Sequence, residues 1–484
     1  MNVLIRADGS THTGGGHVGR CIALAEAIGA AGGNVRFATR ADAPLGQAML
    51  KAARLPFSLL DSADDWKADA GATRDLAAGA DWIAVDHYGL DCRWEEIVKS
   101  AGARLLVLDD LANRPHACDL LADPGRGADG GAAYADLVPD GCVTLFGPRH
   151  ALLRQEFVVR RRAGKTFRDR PRVAIFFGSA DGARLTEPAL EAVAGAVPAG
   201  SVETHVIVTS ANERRAALRA RPGISVHEDV TDMAGLLDSM DIAIGAGGIA
   251  LWERCCLGLP GLAVALNDNQ RPGVRAAADA GAIRSLAPAA AREPEALAAA
   301  VRKLFDERDR WPDMSARGRR LVDGRGAARL VAHMGPLSLQ PAGTADCETL
   351  WRWANDPAVR QMAFESAQIP REDHDAWFAR KLESASTIIL IARHGVAPVG
   401  QVRFDKAAGE GGWLVDISVA AAHRGRRLAL EMLLKALVAL RRDCPDALAV
   451  AWVKDQNRPS RALFEAAGFA PDGARPGATR FVYN

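Results

Sequence analysis

Thr13-Gly14-Gly15-Gly16-His17-Val18-Gly19-Arg20 is the stretch on which the reading of this chain turns. It follows an apolar run at residues 3–7 and precedes an Ala/Leu-rich stretch at residues 22–31. Strand, glycine turn and helix in that order open a doubly wound α/β domain. Three glycines let the backbone turn sharply and let a bulky ligand come close. The helix start offers unpaired N–H groups and a positive dipole end, which suits an anion or a sugar oxygen. His17 stands at that opening. A lone histidine at a turn is more often a polar cap than a catalyst. Its place after the first strand of a cleft-forming domain shifts that balance toward proton transfer. A helix N-terminus disfavours the imidazolium, which suits a proton acceptor, while a nearby diphosphate pulls the other way.

Outward from this turn, apolar runs at 35–38, 82–85, 105–108 and 143–146 read as further strands, with helical stretches such as 94–101 between them. The alternation restarts after the basic connector 160–172, with strands expected at 173–177, 203–208, 224–226, 242–244 and 261–264 and helices at 188–197 and 293–306. Apolar strands alternating with helices imply parallel sheets covered on both faces. Two consecutive Rossmann-like domains, 1–157 and 158–334, are the economical reading, with a ligand in the cleft at the C-terminal ends of their strands. After Met334-Gly335-Pro336 a third pattern runs over 337–484. Helices at 345–355 and 370–383 precede strands at 387–393, 399–404 and 413–419. A helix at 428–441, a strand at 447–453 and a helix at 459–467 follow, giving a smaller α+β domain.

The 484 residues exceed one ordinary core, and 49% hydrophobic with 25% charged residues is the mix of a folded, soluble protein. Lys+Arg 60 against Asp+Glu 59 gives no electrostatic reason to expect nucleic acid or an anionic membrane as partner. A phosphate-bearing ligand must then be held by local devices. Eight cysteines lie scattered without a CxxC pair, which suits a reducing cytoplasm. No His/Cys/Asp group has ligand spacing along the chain, so no metal is expected. The start, Met1-Asn2-Val3-Leu4-Ile5-Arg6, reads as a strand and not a signal peptide, and no apolar run is long enough to span a bilayer.

Two turns in the second domain are placed to hold a nucleotide. Gly178-Ser179-Ala180-Asp181 follows its first strand, and Gly245-Ala246-Gly247-Gly248-Ile249-Ala250-Leu251-Trp252-Glu253 follows a later one. Backbone N–H groups at strand-to-helix turns cradle phosphate. Glu253, about one helical turn past the glycines, can accept hydrogen bonds from ribose hydroxyls, with a solvated helix residue as the lesser alternative.

Taken in order, several motifs resemble one family. They are Gly14-Gly15-Gly16-His17-Val18-Gly19-Arg20, Val85-Asp86-His87-Tyr88-Gly89, Leu108-Asp109-Asp110, Cys118-Asp119-Leu120-Leu121, and Gly147-Pro148-Arg149-His150-Ala151-Leu152-Leu153-Arg154-Gln155-Glu156-Phe157. The family is the UDP-2,4-diacetamido-2,4,6-trideoxy-β-L-altropyranose hydrolases of pseudaminic acid biosynthesis, and the resemblance covers roughly the first 330 residues. It implies a GT-B arrangement of the two domains, water attack at the anomeric carbon of a UDP-linked sugar, and His17 as general base. It also implies a UDP and sugar site drawn from Gly14, Gly15, Gly16, Asp86, Tyr88, Arg154, Gly178, Ser179, Gly247, Gly248, Glu253, Asn269 and Gln270. Asp110 is a further candidate for the sugar pocket. Relatives usually carry Gly-Gly where this chain has Phe177-Gly178.

The last domain has Leu414-Val415-Asp416-Ile417-Ser418-Val419, then His423-Arg424-Gly425-Arg426-Arg427-Leu428-Ala429, then the long helix. By itself Arg-Gly-Arg-Arg is more often a solvated basic patch than a phosphate site. The ordered set resembles the GNAT acetyltransferases. That implies acetyl-CoA on Ile417, Val419, the loop Arg424, Gly425, Arg426, Arg427, Leu428 and Ala429, and Asn457. Arg427 replaces the loop's middle glycine, and Phe464 stands where many relatives carry an acidic tyrosine. The combined expectation is a bifunctional enzyme that N-acetylates a UDP-linked 4-amino-sugar and then releases the sugar from UDP. The alternatives are a GT-B glycosyltransferase and a hydrolase with a non-catalytic acetyl-CoA-binding domain.

Overall fold

The computed structural model describes residues 1–9, 15–61, 65–127, 129–161, 164–178, 184–210, 212–406 and 409–483. Gly14 and Ser179, both expected at the site, lie outside the described residues. The chain divides into two units, Met1–Leu330 and Val331–Asn484.

The first unit begins with β1 (Asn2–Ala7), whose Val3, Leu4, Ile5 and Ala7 are buried. β2 (Asn34–Arg40), β3 (Phe57–Leu60), β4 (Trp82–Asp86), β5 (Arg104–Leu108), β6 (Leu120–Asp123) and β7 (Val143–Phe146) complete its sheet. Their order is β3-β2-β1-β4-β5-β6-β7, every pairing parallel. A second parallel sheet holds β8 (Arg172–Phe176), β9 (Glu203–Val208), β10 (Ile224–Glu228), β11 (Ile242–Ala246), β12 (Gly261–Val264) and β13 (Arg284–Leu286). Its order, β10-β9-β8-β11-β12-β13, repeats the topology of the first, with β8 in the place of β1. In both sheets the strand order reverses beside the first strand, the switch point where doubly wound folds open a crevice.

The chain returns between the two halves. Ala151, Leu153 and Phe157, which follow β7, pack in one apolar cluster with Trp252 and Cys256 of the second sheet's covering helix. Arg329, near the end of the unit, donates to the Arg149 carbonyl at 2.7 Å and pairs with Asp323. Two doubly wound sheets thus share one unit with a cleft between them, the GT-B arrangement.

The second unit has a different logic. β14 (Ser338–Pro341), β15 (Thr387–His394), β16 (Ala397–Lys406), β17 (Trp413–Val419), β18 (Ala449–Lys454), β20 (Ala478–Tyr483) and β19 (Ala470–Arg475) lie side by side in that order. All pairings are antiparallel except β17 with β18. Helix Leu428–Asp443 buries Met432, Leu433, Ala436, Leu437 and Leu440 against Val402, Phe404, Ala451 and Phe481 of the sheet. The 3.6-residue period of those leucines is what makes this helix legible. Among the described residues no helix is long and apolar enough to cross a membrane.

Candidate functional site

Parallel register sets the first half of the site. Ala7, the last residue of β1, pairs with Asp86, the last of β4, so the Asp86 carboxylate lies beside the first turn of helix Gly16–Ala30. His17 Nδ1 is 2.5 Å from Asp86 Oδ1. One turn on, and on the same face, Arg20 holds both oxygens of Asp86, Nε to Oδ2 at 2.5 Å and Nη2 to Oδ1 at 2.6 Å. Its third nitrogen, Nη1, donates to Asp110 Oδ2 at 2.9 Å. Asp86 is fully buried. Burial alone pushes a carboxyl up, but Arg20 and His17 outweigh it and hold Asp86 well below the usual carboxylate range. An ionised carboxylate on Nδ1 places the imidazole proton there and leaves Nε2 to accept one.

Tyr88 packs edge-on to His17, ring centroids 4.5 Å apart. Burial, and then Asp110, pushes the Tyr88 phenol well above its ordinary value, so it stays protonated. Its hydroxyl accepts from Asn269 Nδ2 at 2.8 Å, a contact that joins the two halves of the unit. The cleft between those halves holds about 470 Å³ of space, counting the solvent at its open mouth. Arg20, Asp110, Pro124 and Gly125 line it on one side, with Gly247, Gly248, Trp252 and Asn269 among the residues opposite.

Several expected residues are placed differently from their reading. Gly247 has its N–H engaged already, by the Val264 carbonyl at 2.9 Å and by Gln270 Oε1 at 3.2 Å, so that amide is not a phosphate donor here. Gln270 Oε1 also accepts from the Leu266 N–H at 3.0 Å, so its carbonyl clamps the two loops while the residue lines the cleft. What fixes Gly247 is space, because a Cβ there would stand 2.1 Å from Val274 Cγ2. Arg154 pairs with Glu156 at 2.8 Å and lies over the Phe157 ring. Trp252 lines the cleft, while its neighbour Glu253 is half-buried, and desolvation pushes its carboxyl up to about 7, with Arg154 pulling the other way. Gly15 and Gly16 form the cap and first residue of the His17 helix, and Gly178 follows β8 with a left-handed φ of +96°. Arg20, which links the two carboxylates, stands three residues after His17, and that spacing is its signal along the sequence.

In the second unit β17 and β18 pair only at Trp413 with Ala449 and Leu414 with Val450. Beyond that point the strands part, and β17 continues along β16 as far as Val419. A strand edge opened in this way offers amides and carbonyls to an extended ligand. Ile417 and Val419 are half-buried on the face of the main apolar cluster. Gly425 and Arg427 both take left-handed conformations, φ +79° and +60°, turning the chain into helix Leu428–Asp443. Leu428 and Ala429 form its first turn, whose amides and dipole suit a pyrophosphate. Arg426 is exposed beside it. Arg424 is exposed, with its guanidinium engaged within the protein, Nη2 on Asp356 at 2.8 Å and Nε on the Val419 carbonyl at 3.1 Å.

Asn457 accepts from the Ser460 N–H at 3.2 Å and caps helix Arg458–Ala467. Asn457→Ala is therefore expected to cost about 1 kcal/mol of stability, a loss that urea denaturation without any cofactor will read. Phe464 is buried against Phe469, centroids 4.9 Å apart, so this position contributes to the core and not to proton transfer.

Residues 337–470 match the acetyltransferase (GNAT) domain family. Over 190 residues the chain is 28% identical to the spore coat polysaccharide biosynthesis protein SpsG of Bacillus subtilis, covering 38% of this chain and 56% of that protein. Over 158 residues it is 30% identical to the UDP-2,4-diacetamido-2,4,6-trideoxy-beta-L-altropyranose hydrolase of Campylobacter jejuni, covering 32% of this chain and 53% of the relative. The chain thus spans about half the length of the curated relatives it matches. Among solved structures, MurG of Acinetobacter baumannii aligns over 68% of this chain and 98% of its own, with 16% identity and a TM-score of 0.48.

Proposed function

With a GNAT acetyltransferase domain at one end and sugar-nucleotide relatives at the other, we propose that this chain is a bifunctional enzyme of pseudaminic acid biosynthesis. Residues 1–157 and 158–334 form the two halves of a hydrolase, and 337–484 the acetyltransferase. The second activity moves the acetyl group of acetyl-CoA to the amine of a UDP-linked 4-amino-sugar. The first hydrolyses UDP-2,4-diacetamido-2,4,6-trideoxy-β-L-altrose to free sugar and UDP. A cytoplasmic setting accords with eight free cysteines and with a nucleotide-sugar substrate.

One observation supports the hydrolase reading above the others: the His17–Asp86–Arg20 arrangement at the switch point of the first sheet. His17 Nε2 takes a proton from water, the water oxygen bonds the anomeric carbon, and the bond from that carbon to the diphosphate oxygen breaks. Asp86 stabilises the imidazolium as it forms. UDP is a good leaving group, so placement of the water dominates the barrier. Asp110 Oδ1 is buried without a hydrogen-bond partner among the described residues, which leaves it to accept from a substrate hydroxyl or amide.

Incubating the protein with the UDP-linked 4-amino-sugar, with and without acetyl-CoA, and following free UDP and N-acetyl product by NMR tests both halves. Release of UDP only on adding a sugar or lipid acceptor would overturn hydrolysis in favour of transfer. A pH dependence follows for the nucleotide. Ribose hydroxyls donating to Glu253 favour its carboxylate, which forms as pH rises through about 7. UDP affinity measured by calorimetry should rise across that interval, and Glu253→Gln should flatten the rise.

A further inference from the structure

Cys347 and His374 stand 27 positions apart, and no motif spacing connects them. The fold brings them together. Cys347 is the first residue of helix Cys347–Ala354, and His374 with Asp375 lies in the first turn and a half of helix Arg371–Leu382. Cys347 Sγ stands 3.7 Å from His374 Nδ1 and 3.2 Å from Asp375 Oδ1. All three ligand atoms lie within 4.8 Å of one another.

We infer that Cys347, His374 and Asp375 form a binding site for a thiophilic divalent cation, Zn²⁺ in the first place, independent of either reaction proposed above. Zinc bonds sulfur at about 2.3 Å and nitrogen or oxygen at about 2.0–2.2 Å. Around a tetrahedral ion those lengths separate the ligand atoms by about 3.5 Å. The 3.2 and 3.7 Å separations from the sulfur bracket that value, and all three ligand atoms lie within 4.8 Å of one another. The donor set is a soft sulfur, an imidazole and a carboxylate, a combination zinc accepts. Position is fixed from behind: His374 is buried, and its ring stacks on Phe378 at an interplanar angle of 12°. Phe378 belongs to a small apolar cluster with Leu350, Ile389 and Ile391, separate from the main core of this unit. The ion would join two helices whose shared core is thin.

The charges balance as well. Burial, and then the Asp375 hydrogen bond, raises the Cys347 thiol above its ordinary value, so without a cation it holds its proton. On binding, that proton leaves to solvent, a sulfur–metal bond forms, and thiolate with carboxylate neutralises the dication. Arg371, which holds Asp375 Oδ1 at 2.7 Å, keeps its second partner, Glu348. The site is three-coordinate from protein, leaving the fourth position to water.

Co²⁺ titrated into the full chain reads the site directly through its thiolate charge-transfer absorption. The expected result is one equivalent bound with that band, one proton released per ion, and displacement of the band by Zn²⁺. Cys347→Ser should abolish the band, and Cys142→Ser should leave it. Asp375→Asn, at a half-exposed position, should weaken Co²⁺ roughly tenfold or more, since even outer-shell partners are worth that much. Arg371→Ala, which removes the competing cation, should strengthen it. A wild-type chain with no thiolate band, or a band that survives Cys347→Ser, overturns the inference. Should Cys347→Ser fail to fold, unchanged Co²⁺ affinity in Asp375→Asn overturns it equally.

Discussion

His17→Ala is expected to lower the rate of UDP release by about 10²–10⁴-fold, the usual worth of a positioned general base, and to leave acetyl transfer unchanged. The first effect follows from geometry: the imidazole is the one group in this arrangement with a nitrogen left to accept a proton, Asp86 holding the other at 2.5 Å. The second follows from chain position, because His17 belongs to the unit Met1–Leu330 and the GNAT match begins at residue 337. Stability should change little. The ring is buried, but removing it leaves Asp86 with Arg20 on both oxygens, so no buried charge is stranded. Steady-state assays of the two activities on the same preparation separate the outcomes. A folded variant that keeps full UDP release would remove His17 from the reaction, and a folded variant that loses both activities would argue against separate sites.

The parts of this molecule that were readable along the chain are those in which local chemistry and tertiary role coincide. β4 and β5 carry continuous apolar runs, and β1 one broken only by the buried, ion-paired Arg6, because a parallel sheet covered on both faces demands them. β3 and β13, four and three residues long and only partly buried, carry no continuous apolar run. β19 is exposed along its whole length, so no apolar alternation marks it. The same division holds at the site. A glycine turn ending in histidine announces itself in eight residues. The function of Arg20 requires Asp86 and Asp110, 66 and 90 residues away, and only the β1–β4 register and the loop after β5 bring those carboxylates together. Arg424 shows the same limit from the other side. A basic residue beside a phosphate-type loop looks like a ligand contact, yet Asp356, which also caps helix Pro357–Met362, occupies its guanidinium. Cys347, His374 and Asp375 carry no spacing signal at all, since the two helices that present them meet only in the folded domain.

Asp86→Asn should have an effect as large as the loss of His17, by a different route. The asparagine amide can face His17 with its NH₂, which donates to Nδ1 and forces the imidazole proton onto Nε2. The group is then present but in the wrong tautomer, and in a base–carboxylate pair such a change costs on the order of 10³–10⁴-fold in rate. Unlike His17→Ala, it should also destabilise the fold. Arg20 is almost wholly enclosed and would keep Asp110 alone as its carboxylate partner, so about 3 kcal/mol is expected in urea denaturation. The pH dependence fixes the cause. Because the folded-state pKa of Asp86 is depressed, its contribution is complete above the ordinary carboxylate value of about 4 and is lost as pH falls below it. Wild type and Asp86→Asn should therefore differ fully at pH 7 and draw together in acid. A stability gap independent of pH down to 3 would assign the loss to packing, and near-normal UDP release by the variant would show that His17 does not need an anion behind it.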